Sequence, residues 1–380
     1  MSHITDITIL AGQRGLRECA RLEWRRGDPG DPADVLHAFL SDSGFAVSAL
    51  DRPSVMVSPP GLIAIIHLSA AVSAQLAGGE IGSGSPCPSI PDVVCVVGEP
   101  ISVTLSNSAV APCEIGPWVP SWSEKNHEKA VASVRAAIAE GDVYQVNVVG
   151  HASAPYAGDV GPSLQRVAAL PGARYPIVVS GSGWALACAS PETLVSVRDG
   201  RVETRPIKGT RPATERGRRE LLASDKERAE HIMIVDLARN DLARVSATGT
   251  VRVDELFAVR RWSRLWQAES VVSGRLRAGT GLSDVLRALC PGGSVTGAPK
   301  LAALDEMASV EPVGRGPSMG ALGVLSSDGL DLGLTIRTVA AAEGRLHLWA
   351  GGGITWGSDP VAEVAEAAAK AAPIRAALAA

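Results

Sequence analysis

The sequence predicts a protein of mixed α and β structure whose strands pair antiparallel. Three observations carry that expectation. Short apolar runs broken by glycine and proline fill the first 120 residues, a helix-period stripe begins after Ser123, and Asp199-Gly200 lies between two alternating runs. Asp-Gly in that setting is a strong short-range signal for a two-residue hairpin. With 380 residues and 46% hydrophobic content, the chain can bury a sizeable core.

Taken in order, the runs at 55–57, 62–68, 93–97 and 101–105 read as strands. The segment 78–91, rich in glycine, serine and proline, reads as a surface loop. Over 128–140, Ala130, Val131, Val134, Ala137 and Ile138 share one helical face, and Gly141 stops the helix. A strand over 142–149 then puts Asp142 and Tyr144 on one side and Gln145 and Asn147 on the other. After the hairpin comes a long polar helix carrying Glu227 and Glu230. Strands over 252–259 and 270–276 lead to a short helix over 282–289. The glycine-rich turn 291–300 enters a helix over 301–308, with Pro299 near its first turn. Ala298 stands where a phosphate loop needs lysine, so a Walker-type reading fails. Finally, a strand over 345–350 runs into Gly351-Gly352-Gly353, where a ligand can approach backbone amides. Asp359 and Pro360 then open a C-terminal helix.

Composition narrows the function. A net charge of −4 gives no global basic field for nucleic acid. Two clusters that mix arginine with tryptophan, 22–26 and 258–264, read as solvated or salt-bridged faces. The six cysteines show no metal-type spacing and read as free thiols of a reducing compartment. The N-terminus has no signal-peptide pattern, and the most apolar stretch, 61–78, is broken by His67 and serines. A soluble cytoplasmic protein with no membrane partner is expected.

The hairpin brings Glu192 and Lys208 to one end, a potential acid beside a potential nucleophile. Lysine fills only six of the 36 basic positions. A lysine retained in such a chain points to an amine of tunable pKa, which arginine cannot supply; a solvated loop cation fits the residue taken alone equally well. Glu227 and Glu230 are spaced i, i+3, and Glu363, Glu366 and Lys370 fall on one helical face. Singly, such groups are ordinary helix decoration. Together, two helices with two carboxylates each offer the oxygen ligands that Mg²⁺ prefers.

At this point the chain resembles a known family, the chorismate-utilising enzymes. The motifs that carry the resemblance are GDVYQVN at 141–147, SPE at 190–192, TRPIKGTRP at 204–212 and DKERAEHIMIVDLARND at 225–241. PGGSVTGAPK at 291–300, LTIRT at 334–338, and AGGGI with DPVAEVAEAAAK between 350 and 370 complete the set. Together they span about two-thirds of the chain in family order. The resemblance implies a single large α+β domain of two stacked antiparallel sheets with outer helices. Residues 1–120 would supply the N-terminal sheet portion and 121–380 the chorismate-binding catalytic portion. It also implies Mg²⁺ between Glu230 and Glu366, with Glu227 and Glu363 in support. Arg337, Lys370 and the amides near Gly352 and Gly353 would receive the substrate's carboxylates, and Thr210 and Thr296 would line the pocket.

Two positions choose the branch. Water-using members carry a lysine base where this chain has Gln145, so ammonia is the expected nucleophile. PIKGT, with Lys208, is typical of aminodeoxychorismate synthase component I, in which the lysine adds at ring C2 and the Glu192 position protonates the departing 4-hydroxyl. Three residues depart from the pattern: Gln267 replaces a histidine associated with pyruvate elimination, Ser318 a tyrosine, and Gly357 an aspartate. The tryptophan-sensing LLES motif of regulated members is not matched. With no glutaminase motif present, the resemblance implies a separate glutamine amidotransferase partner. Amination at C2, and a chorismate-binding paralogue that has lost catalysis, are the alternatives.

Overall fold

The computed structural model describes residues 9–10, 14–102 and 113–380. Every pairing between its strands is antiparallel among these residues, and the strands form two stacked layers. In the first layer Gln145–Ala157, Arg345–Ile354, Thr338–Ala342, Trp184–Ser190 and Tyr175–Gly181 lie side by side. The second runs Arg14–Trp24, Val93–Ser102, Ile63–Leu68, Ala321–Ser326, Gly329–Leu334, Thr193–Arg198 and Arg201–Arg205. It continues into Leu265–Arg275, along one edge of which Arg201–Arg205 and Ile207–Pro212 lie end to end. Arg252–Trp262 covers the other edge. The two-residue strand Ile9–Leu10 joins the layers, pairing with both Tyr175–Gly181 and Arg14–Trp24.

The two-residue period of the strands decides what each face buries. Ile177, Val179, Leu186 and Cys188 point into a core shared with Ile66, Val96, Leu322 and Leu332 of the other layer. Their neighbours Val178, Ala185 and Ala187 point outward, under Leu164 and Val167 of the helix Gly161–Ala168 and Ile374 and Leu378 of the helix Pro360–Ala379. Apolar on both faces, these strands show no alternation in sequence.

The hairpin forms at Asp199 and Gly200, both at positive φ (51° and 70°), as its two-residue turn requires. The helix over Leu282–Leu289 has the expected bounds. The expected long polar helix is two helices, Glu215–Ala223 and Asp225–Ala243, each begun by a hydroxyl cap, Thr214 or Ser224. Residues 55–57 are not a strand: Ser54–Met56 is a single 3₁₀ turn with Val55 and Met56 exposed. Five residues between Pro53 and Pro59 offer too little edge to pair. The runs at 93–97 and 101–105 join in one strand, Val93–Ser102, with residues 103–105 outside the described ones. Pro100 fits because the Ile63–Leu68 partner ends at Gly98, so its missing N–H faces no ladder on that side. All six cysteines are free thiols. Among the described residues, no helix is long and apolar enough to cross a membrane.

Candidate active site

One pocket gathers most of the residues singled out by sequence. Its walls include Glu192, Lys208, Thr210, Glu227, Glu230, Gln267, Arg337, Gly352, Gly353, Glu363, Glu366 and Lys370. They come from the hairpin side of the second layer, the end of the strand Arg345–Ile354, and the helices Asp225–Ala243 and Pro360–Ala379.

Lys208 enters from the strand Ile207–Pro212, opposite Ala268 of the neighbouring strand. The side chain reaches Gly353: a Cβ built there would lie 2.2 Å from Lys208 Nζ and 3.0 Å from Gln145 Nε2. Glycine at 353 therefore leaves the space that the ends of the Lys208 and Gln145 side chains occupy. Burial lowers the Lys208 pKa, Glu230 opposes that shift, and nearby Lys370 adds to it. Gln145 is fully buried, and neither its amide oxygen nor its nitrogen has a hydrogen-bond partner among the described residues. The run Gly351-Gly352-Gly353 pairs with Val149, Val148 and Asn147 of the strand Gln145–Ala157. At Gly352, a Cβ would lie 3.0 Å from Glu363 Oε2.

Glu192 is buried and accepts a hydrogen bond from Ser294 Oγ at 2.5 Å. Burial raises its pKa to about 7, against the opposing pull of Ser294, the Ile207 backbone and Lys208. A carboxyl of raised pKa and an amine of lowered pKa thus share one space, the pairing expected of an acid and a nucleophile.

The four glutamates converge from two helices. Glu227 Oε1 pairs with Arg211 at 2.9 Å, and Gly209, at φ +72°, leaves room for its carboxylate. Glu230 accepts from Thr355 Oγ1 at 2.7 Å. Glu366 pairs with Lys370 at 2.7 Å, and that ammonium is the main cause of its lowered pKa. Among the described residues, no group of three or more His, Cys, Asp or Glu side chains is set to hold a metal unaided. The donor chemistry nevertheless suits Mg²⁺, which takes one or two carboxylates and fills its shell with water and substrate oxygens.

Opposite them stand cations. Lys370 Nζ donates to the Gly351 carbonyl at 2.9 Å, and Arg337 Nη1 to the Lys370 carbonyl at 2.8 Å. Burial pulls the Arg337 pKa down to about 10. Gln267 lines the pocket, and its Oε1 has no hydrogen-bond partner among the described residues. Thr296 does not line it: its hydroxyl donates to Gly292 O at 2.9 Å inside the turn, and Ser294 and Val295 face the pocket instead. Sequence reading missed Ser294 and Met319, which turns aim into the pocket, and Trp349, which enters it from the strand Arg345–Ile354. In the cluster 258–264 the arginines are exposed, and Arg260 pairs with Glu255 and Glu269 as expected, but Trp262 is buried.

The model of the chorismate binding enzyme family matches residues 100–376. The chain belongs to that family. Every pocket residue named above lies inside the matched span. Relatives in the family include the anthranilate synthase component 1 of Streptomyces coelicolor, 40% identical over 269 residues, 68% of this chain and 53% of that protein. The aminodeoxychorismate synthase component 1 of Klebsiella aerogenes is 38% identical over 256 residues, 66% of this chain and 57% of that protein. The chain spans about half the length of these curated relatives. Its fold matches the anthranilate synthase component I of Streptococcus pneumoniae with a TM-score of 0.78 at 26% identity, over 96% of this chain and 93% of that one. The expected two-layer α+β architecture is thereby borne out.

Proposed function

We propose that the chain aminates chorismate at C4 to give 4-amino-4-deoxychorismate, with Mg²⁺ as cofactor and ammonia from a separate glutamine amidotransferase. The observation that carries this reading is Lys208, an amine of lowered pKa, facing the same pocket as Glu192, a carboxyl with a pKa near 7. In this reading the neutral Lys208 amine adds to ring C2 while the double bonds shift and the C4–O bond breaks. Glu192 gives its proton to the departing hydroxyl, which leaves as water. Ammonia then adds at C4, the Lys208 amine leaves C2, and the new ammonium returns one proton to Glu192. Arg337 and Lys370 receive substrate carboxylates. Glu230 and Glu366, supported by Glu227 and Glu363, would hold the Mg²⁺, with Lys370 giving up its bond to Glu366 as the ion binds. The bound ion would supply fixed positive charge for a substrate carboxylate.

Amination at C2 is the second reading, favoured by the identity to the Streptomyces coelicolor anthranilate synthase component 1. The deciding experiment incubates the purified chain with chorismate, Mg²⁺ and ammonium and identifies the product by mass spectrometry and NMR. A 4-amino product supports the proposal, and a 2-amino product or none overturns it.

A further inference from the structure

Arg337 is a buried cation, and among the described residues the one hydrogen bond of its guanidinium is to the Lys370 carbonyl, with no carboxylate in a salt bridge. Its guanidinium carbon lies 4.6 Å from the centroid of the Trp262 ring. The same indole donates Nε1–H to the Ala189 carbonyl at 2.9 Å, and the Ala189 amide donates to the Arg337 carbonyl at 3.1 Å. Trp262 therefore meets Arg337 twice, at the side chain directly and at the backbone through Ala189. Arg337 sits at φ 53°, a left-handed conformation that persists in a non-glycine residue only where the surroundings impose it. Trp262 is itself held in place. It is 1% exposed, and a Cβ at Gly172 would lie 2.7 Å from its Cα.

We propose that Trp262 is a positioning residue for substrate: it holds the Arg337 guanidinium in the orientation that receives a carboxylate of the dicarboxylate substrate. This rests on the chorismate reading above. The negative face of the indole stabilises the buried cation without using any of its N–H donors. A glutamate in that place would also hold the guanidinium, but it would compete with the substrate for the same fork. With the ring behind it, the edge of the guanidinium stays open for a two-point carboxylate contact.

The test is a mutant cycle read by calorimetric titration of chorismate with Mg²⁺, using Trp262→Phe, Trp262→Leu, Arg337→Ala and the two double variants. Trp262→Leu should weaken chorismate binding about tenfold and raise KM more than it lowers kcat, as the loss of a cation–π contact predicts. Trp262→Phe keeps a weaker ring face and should weaken binding about threefold. In the Arg337→Ala background neither change should add further loss, because the group being positioned is gone. Should Trp262→Leu fail to fold, the Phe cycle alone decides. Equal losses with and without Arg337, or Trp262 variants that bind like the wild type, would overturn the role of Trp262 alone. A wild-type chain that binds no chorismate would remove the substrate reading and this role with it.

Discussion

At the scale of single residues, Glu192 and Lys208 make opposite demands on pH. Glu192 must be protonated to donate, so activity should fall as pH rises through about 7. Lys208 must be neutral to add, so activity should also fall toward acid, giving a bell-shaped rate profile. Lys208→Ala should lose at least a hundredfold in turnover while its melting temperature stays close to wild type; near-wild-type amination at C4 would exclude covalent participation. Glu192 also carries a stability cost. The unfolded carboxyl ionises near 4.5 and the folded one near 7, so between those values the native state holds the extra proton and stability falls as pH rises. Glu192→Gln should therefore be inactive yet more stable at pH 8, by on the order of 2–3 kcal/mol, measured by chemical denaturation. Gln267 bears on the product. An amide cannot carry a proton at neutral pH, whereas imidazole can. The product is expected to keep its enolpyruvyl group, and pyruvate assayed in stoichiometric amount would contradict that.

At the scale of elements, the site depends on how closely a glycine-lined strand lets three others approach. Gly353→Ala places a methyl group 2.2 Å from where Lys208 Nζ now lies, so the lysine must move. Turnover should drop at least tenfold with little change in melting temperature, a split that a mere folding defect would not produce. Glu366→Gln should raise the Mg²⁺ concentration needed for half-maximal activity and weaken chorismate binding together, and full activity in excess chelator would sink the metal site altogether. The carboxylate pairs on both helices were legible in the sequence, since i, i+3 spacing fixes a shared face whatever the tertiary context. The Asp199-Gly200 hairpin was legible for a similar local reason. Trp262 and Ser294 were not, because their meaning lies in neighbours far along the chain. Gly353 read as an opening for backbone contact; the approach of Lys208 and Gln145 from separate elements, which also leaves no room for a side chain there, was not legible. The strand Trp184–Ser190, buried on both faces, lacks the alternation that would have announced it.

At the scale of the whole molecule, the burial of imidazoles predicts a loss of stability in acid. His67, His231 and His347 are pushed down to about 4 and His151 to about 3, each chiefly by burial. Unfolded histidine binds its proton near 6.5, so the unfolded state gains protons first as pH falls. The stability these groups contribute is fully present above about 6.5 and is lost as the pH drops toward 4. Melting temperature followed from pH 7.5 to 4.5 should decline steeply through that window. His67→Gln, at a site where the ring contacts the Ala321 carbonyl, should flatten the decline. An unchanged slope would show that other groups drive acid unfolding.

The pairing of Ile63–Leu68 with Ala321–Ser326 reaches beyond equilibrium. Leu68 lies opposite Ala321, so the early strand leaves the ribosome about 250 residues before its neighbour exists. At roughly 5–20 residues per second, that edge waits on the order of ten to fifty seconds. For that interval an apolar β-edge with unpaired amides is exposed to other nascent chains, and sequestration by a chaperone during translation, more than intrinsic stability, should set how much soluble protein a cell accumulates.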